Sequence, residues 1–158
     1  VMWRPTEWLN WYNSASYNKS TYDEDLNWCT TTCVVKQTAG KQQVDTPKQM
    51  FASMVMLKKG GFSASLQGKY TGRRYYTYTN DQSFGGYTVF DLGVSYRFEP
   101  VSFMKGAKAS LNVTNLTNKR YASNFDSSVF APDDAAGSIV VFHSSAPRQV
   151  FGTLSFEF

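Results

Sequence analysis

The residues that most constrain this chain are 146–158, A-P-R-Q-V-F-G-T-L-S-F-E-F. Taken in steps of two they separate into Val150, Gly152, Leu154, Phe156 and Phe158 on one side and Gln149, Phe151, Thr153, Ser155 and Glu157 on the other. One register is apolar and the other mostly polar, the period-two pattern of a strand with one greasy face. An aromatic at the very end of such a strand gains little in a soluble domain, because free termini fray. A closed membrane barrel does need its last strand, which removes the open sheet edge by pairing with the first. An edge strand of a soluble β-sandwich remains the competing reading of this segment alone.

The same alternation recurs upstream. Phe62, Ala64, Leu66, Gly68 and Tyr70 oppose Ser63, Ser65, Gln67, Lys69 and Thr71. Phe90, Leu92, Val94, Tyr96 and Phe98 oppose Asp91, Gly93, Ser95 and Arg97. Ala107, Ala109, Leu111 and Val113 oppose Lys108, Ser110, Asn112 and Thr114. Residues 47–57 are apolar in both registers, and residues 7–17 leave their facing open because Trp8 and Tyr12 fall out of step with Leu9, Trp11, Ala15 and Tyr17. Pro5-Thr6 reads as a tight turn, since proline suits turn entry and is barred from central ladders.

Between these strands the connections alternate in length. Residues 58–61 and 99–106 are short turns, whereas 18–46, 74–86 and 116–145 are long and polar. A meander with short turns at one end and long loops at the other describes an outer-membrane barrel. A sandwich gives the same alternation along each strand but has less reason to gather its long connections at one end. The expected fold is therefore all-β, an antiparallel up-and-down transmembrane β-barrel of which six to seven strands are present.

Composition agrees. Aromatic residues make up 16% of the 158, mostly Tyr and Phe, a bias that suits strands and interface girdles. No apolar run is long enough for a spanning helix, which says nothing against strands that alternate. The net charge of +4 is spread over scattered pairs such as Lys58-Lys59, Arg73-Arg74 and Lys119-Arg120, not the stripe that nucleic-acid binding requires. No nucleic-acid partner is expected. Val1 to Tyr12 has neither the basic start and apolar core nor the cleavage site of a signal peptide, so the chain is expected to be a fragment.

The segment L-N-V-T-N-L-T-N-K-R-Y at 111–121 resembles the penultimate-strand motif of TonB-dependent outer-membrane receptors, N-L-(F/T)-(D/N)-K-x-Y. The ending at 146–158 is similar to that family's closing strand. D-T-P-K-Q-M-F, Y-T-G-R-R-Y and Y-T-V-F-D-L-G-V-S-Y-R-F fit the same family in the same order, from about Val44 onward. The resemblance implies a bacterial outer-membrane receptor of about twenty-two strands with an N-terminal plug. Such receptors import siderophores, cobalamin, oligosaccharides or other scarce ligands with energy passed through TonB. It implies as partners outer-membrane lipid and lipopolysaccharide, TonB through the plug, and the plug and remaining strands, from the same or another chain. It also implies that the terminal aromatic Phe158, with Phe156 and Leu154, is read as a barrel-assembly signal. Six or seven strands cannot enclose a plug by themselves, because diameter grows with strand number. A passive porin-like barrel and a secreted aromatic-rich carbohydrate-binding sandwich are the alternatives.

Candidate sites follow from the long connections. Arg74, Tyr75, Tyr76, Tyr78 and Asn80, then Asn124, Phe125 and Phe130, offer stacking faces beside amide and guanidinium donors. These suit sugars or aromatic iron chelates. Tyr75 to Tyr78 read more readily as part of an outer aromatic girdle than as ligand contacts. Cys29 and Cys33, with a single distant His143, cannot complete a tetrahedral zinc site. An intraloop disulfide is expected in an oxidising compartment and free thiols in the cytosol. Asp133-Asp134 reads as a solvated turn, and Asp23, Glu24 and Asp25 lack the turn glycine and spacing of a calcium loop. No catalytic residue, metal or cofactor is expected.

Overall fold

The computed structural model describes residues 1–100, 104–125 and 131–158. In chain order, β1 (Met2–Thr6) and β2 (Leu9–Tyr17) are followed by a small hairpin of β3 (Leu26–Cys29) and β4 (Cys33–Lys36). Next come β5 (Gln49–Lys59) and β6 (Phe62–Thr71), then the two-residue pair β7 (Arg74–Tyr75) and β8 (Ser83–Phe84). The chain continues through β9 (Tyr87–Phe98), β10 (Gly106–Thr114), a second small pair β11 (Ala122–Phe125) and β12 (Phe142–Ser144), and β13 (Gln149–Glu157). One seven-stranded sheet has the order β1-β2-β5-β6-β9-β10-β13. Every neighbour is antiparallel and next in line, so the three long connections lie at one end and the short turns at the other.

The register carries the alternation across the sheet. Trp3, Trp11, Val55, Leu66, Leu92, Val113 and Val150 are successive partners in one row spanning all seven strands. Another row, Lys58, Ser63, Ser95, Ser110 and Thr153, lies on the opposite face. Paired residues share a face, so a slip of one residue would exchange the two sets. Trp11 and Tyr17 stand on the apolar face and Tyr12 on the polar one. The doubly apolar strand β5 resolves into Phe51, Val55 and Leu57 on the apolar face and Met50, Met54 and Met56 on the other.

The apolar face is bare. Leu66 is 45% exposed, Leu154 70% and Phe156 59%, far more apolar surface than a water-facing sheet tolerates. Rings stand toward both strand ends, Tyr17, Phe51 and Tyr70 on the side of the long loops and Phe62, Tyr96, Phe98 and Phe156 on the side of the short turns, with Trp3, Trp11 and Phe90 between them. From Phe62 to Tyr70 is about 26 Å along the strand, which a tilt of about 35–45° converts to about 19–22 Å of height, within an apolar band of about 25 Å. The cluster of Tyr76, Ala122 and Phe125, flanked by Phe84 and Val140, lies in the long connections. A sandwich would place its core between two sheets, so the sandwich alternative is set aside.

Pro5 is a correction. It lies inside β1, and the turn falls two residues later at Glu7-Trp8. Pairing shifts by one residue between Trp3 and Thr6, a bulge, where the ladder is already interrupted and a missing N–H breaks no regular pair. The Lys59–Phe62 turn is as expected, with Gly60 at φ 57° and no room for a Cβ at Gly61 against the Arg97 carbonyl.

Candidate functional site

The long connections interlock into one layer over the end of the sheet, and Arg74 is its hub. Its side chain is buried. Nη1 donates to Asp45 Oδ1 at 2.7 Å and to the Ser123 carbonyl at 3.1 Å, and Nη2 donates to the Ala122 carbonyl. The guanidinium plane also lies over the rings of Phe125 (4.9 Å) and Tyr87 (5.7 Å). One planar fork thereby ties residues from all three long connections, a task that the point charge of lysine does not perform.

Around this hub, Phe84 stacks on Phe125 at 5.1 Å and meets Phe142 edge-on at 5.0 Å, with Tyr76 completing the cluster. Asn80, at φ 60°, accepts from the Gln42 N–H at 2.7 Å and donates back to the Gln42 carbonyl at 2.8 Å. Tyr78 N–H donates to the Ala131 carbonyl at 3.1 Å and its ring meets Tyr22 edge-on at 5.5 Å. The Asp45 N–H donates to the Tyr75 carbonyl at 2.8 Å. Arg74, Tyr76 and Phe125 therefore shape the layer from within, while Asn124 is exposed and Tyr75 and Tyr78 are half-buried. Tyr76 faces this cluster and not the apolar face of the sheet, whose rings nearest the long loops are Tyr17, Phe51 and Tyr70. Phe130 lies outside the described residues.

Asp133-Asp134 is a further correction. Asp133 pairs with Lys36, but Asp134 is buried. Its carboxylate accepts from the N–H groups of Ser138 (2.9 Å) and Ile139 (3.0 Å), closing a turn. The Ile139 N–H, with both donors of Ser138, holds its pKa below the ordinary 3.8. At Asp81 burial pushes the pKa upward, and hydrogen bonds from Thr79, Thr77 and the Asp134 N–H outweigh it, leaving it lowered. Burial, with the charges of Asp134 and Asp81 beside it, raises Tyr76. Asp25 Oδ1 is committed to the N–H groups of Thr38 and Ala39, both at 2.9 Å.

Cys29 and Cys33 form a disulfide across the tip of the β3–β4 hairpin. Among the described residues, no group of three or more His, Cys, Asp or Glu side chains could hold a metal ion. Phe158 is 75% exposed, and Lys105 Nζ donates to its carbonyl at 2.9 Å.

The N-L-T-N-K motif acquires a physical role. Asn115 (φ 50°) and Asn118 (φ 52°) occupy left-handed backbone that asparagine tolerates. Asn115 Nδ2 donates to the carbonyls of Lys119 (2.9 Å) and Ala146 (3.0 Å), and its N–H donates to Asp91 Oδ1 at 2.8 Å. Asn118 Oδ1 accepts from the Arg148 N–H at 2.9 Å. The two asparagines thus tie the end of β10 to β9 and to the start of β13, and Tyr121 stacks on Tyr87 at 4.0 Å. Asp45 and Gln42 escaped sequence reasoning, as did the burial of Asp134; the only signal was that each falls in a turn-rich stretch.

The family described as TonB dependent receptor-like, beta-barrel matches residues 1–116. No curated protein matches. Among solved structures, the chain is similar to the siderophore receptor PiuA from Acinetobacter baumannii, at TM-score 0.78 and 18% identity over 99% of this chain and 20% of that one. It is also similar to BauA, the ferric preacinetobactin receptor from Acinetobacter baumannii, at TM-score 0.66 and 18% identity over 99% and 21%. The ferric-catecholate import receptor Fiu from K12 E. coli aligns at TM-score 0.67 and 18% identity over 98% and 19%. The chain spans about a fifth of the length of these receptors, and at this identity the likeness is one of fold.

Proposed function

Because the chain belongs to the TonB-dependent receptor-like β-barrel family, we propose that it forms the C-terminal strands of an outer-membrane receptor for energised ligand uptake. The remaining strands and the plug come from the same or another chain, and TonB acts through that plug. The observation that carries this reading is the single meandering sheet with an exposed apolar face, rings toward both of its ends and all long connections interlocked at one end. β1 and β13 each have one partner, and unpaired edges are not tolerated in lipid. This supports a larger closed barrel. The ligand we favour is a ferric chelate: two of the similar receptors are named for a ferric cargo and the third for a siderophore. Tyr75, Tyr78 and Asn124 present rings and an amide to it, while Arg74, Tyr76, Asn80 and Phe125 hold the layer in shape. The role is transport and not catalysis. Phe158, Phe156 and Leu154 serve barrel assembly.

The test is uptake of iron-55 as ferric siderophores by cells that carry or lack the receptor containing this segment. Receptor-dependent uptake that stops when a protonophore collapses the proton gradient is expected. Uptake insensitive to the protonophore would favour the passive porin-like alternative, and none for any ferric chelate would overturn the choice of ligand.

A further inference from the structure

Three cations stand together on the polar face of the sheet, which a closed barrel turns to its lumen. Lys108 of β10 is the direct cross-strand partner of Arg97 of β9. Lys58 of β5 joins them one row higher, where it pairs with Ser63 and Ser63 with Ser95. Like charges set directly opposite one another destabilise a sheet. All three are exposed, and none has an ion-pair partner among the described residues. The carboxylates of this face lie elsewhere. Asp91 stands about 13 Å above Ser95 along β9, and its Oδ1 accepts from the Asn115 N–H. Glu99 and Glu157 lie two residues nearer the rim than Arg97 and Ser155. A local conflict that the chain leaves uncompensated is what a binding site imposes.

The three cations line one hollow of about 460 Å³, with Ser63 and Ser95 between them. A second hollow of about 340 Å³ adjoins it on the side of the long loops. It shares Lys58, Ser63, Ser95 and Lys108 with the first and continues to Gly93 and Asn112. Small side chains give this groove its depth. A Cβ on Gly93 would stand 2.9 Å from Ser65 Oγ and 3.1 Å from Asn112 Oδ1. No carboxylate lines either hollow. A guanidinium fork with two ammonium groups and serine hydroxyls beside it suits an anion that presents several oxygens.

We infer that Lys58, Arg97 and Lys108 form an anion-binding site on the lumen wall, at the end of the sheet opposite the loop layer. Its occupant is a ferric chelate of net negative charge, leaving the receptor along the groove. The inference rests on the uptake reading above, and adds to it a charge class of cargo and a stretch of wall. Exposed, solvated cations hold such an anion weakly. A point of passage requires that, since what binds there must also leave.

The full receptor containing this segment, with Ser95→Cys and folding checked by heat-modifiable mobility, is treated with two thiol reagents of similar size. One bears a sulfonate and the other a quaternary ammonium. Adding Lys58→Gln/Arg97→Gln/Lys108→Gln is expected to lower the sulfonate-to-ammonium rate ratio roughly tenfold, the effect of three screened charges about 7–10 Å away. Adding Lys69→Gln, higher on the same face, is expected to leave the ratio unchanged. An unchanged ratio in the triple variant would overturn the inference. So would a thiol that neither reagent reaches, because another part of the receptor fills the groove. Tenfold between charges of −1 and +1 is about threefold per unit charge. Cells matched for receptor amount should therefore take up iron-55 as a ferric tris-catecholate, of charge about −3, roughly thirtyfold more slowly with the triple variant. The amount bound on ice should stay the same. Equal uptake would overturn the transit role, and so would loss of binding on ice in step with uptake. A wild type that neither binds nor takes up any ferric chelate would instead refute the reading on which the inference rests.

Discussion

Replacing Arg74 by methionine isolates what the loop layer owes to its hub. The change keeps most of the side-chain volume and removes the ion pair with Asp45, two hydrogen bonds to carbonyls and the contacts over Phe125 and Tyr87. Removing one partner of a fully buried pair costs about 3–5 kcal/mol. The Asp45 side chain is 33% exposed and can rehydrate, which lowers the figure. The two carbonyls lose charged donors at about 1.5–3 kcal/mol each, partly recovered from water. We expect about 2–4 kcal/mol against the closed loop layer, or roughly 30- to 1000-fold faster amide exchange through local opening. The assay is hydrogen exchange by mass spectrometry on the micelle-bound receptor, comparing peptides over residues 42–46, 74–84 and 119–125 with peptides from β6 and β9. Arg74→Lys should fall between, since it keeps a charge opposite Asp45 but not the fork. Unchanged exchange in the loop peptides would refute the reasoning, and so would an equal loss across the sheet.

Other outcomes follow from the same geometry. Leu154→Lys, on the lipid-directed face, should cost about 2–4 kcal/mol in a refolding titration into lipid vesicles, and Thr153→Lys on the opposite face much less; equal costs would contradict the facing. Deletion of Phe158 should reduce outer-membrane yield in cells more than it lowers the unfolding midpoint of barrel already assembled, and an intact yield would remove its assembly role. Asp81 and Asp134 have folded pKa values below the ordinary 3.8, so their contribution is complete above that value and is lost as pH falls through the lowered ones. Limited proteolysis near residues 131–140 should therefore be flat between pH 5 and 8 and rise below about 3.8; a rise already at pH 5 would speak against this assignment.

What was legible in the sequence is what depends on nearest neighbours. Facing along a strand is a local property with a period of two, so β6, β9, β10 and β13 could be read directly, and with them the two ends of the sheet. Strand β5 could not be, because methionines on one face and aromatics and branched residues on the other give no contrast. The small pairs β3–β4, β7–β8 and β11–β12 have two to four residues a side, too few to show a period. Pro5 misled because proline is tolerated within a strand at a bulge, and the register shift between Trp3 and Thr6 that makes one depends on the partner strand. The loop layer was the least legible part. Its decisive contacts join Arg74 to Asp45 across 29 positions, Asn80 to Gln42 across 38 and Arg74 to Ala122 across 48. Residues that looked like exposed ligand contacts, Arg74, Tyr76 and Phe125 among them, were drawn inward by one another. The asparagines of N-L-T-N-K were visible as a motif, but their left-handed backbone and their hold on β13 were not.

The central claim is that the apolar face of the sheet meets lipid and the polar face meets water. It is tested most directly by single cysteines at the neighbouring positions Leu66 and Gln67 of β6, each labelled with an environment-sensitive fluorophore in the receptor reconstituted into vesicles. Cys29 and Cys33 are joined to each other and do not compete for label. The account predicts that the probe at Leu66 is quenched by brominated acyl chains and shielded from aqueous iodide, and that the probe at Gln67 shows the reverse. Iodide quenching of both positions, with no effect of brominated lipid on either, would contradict it.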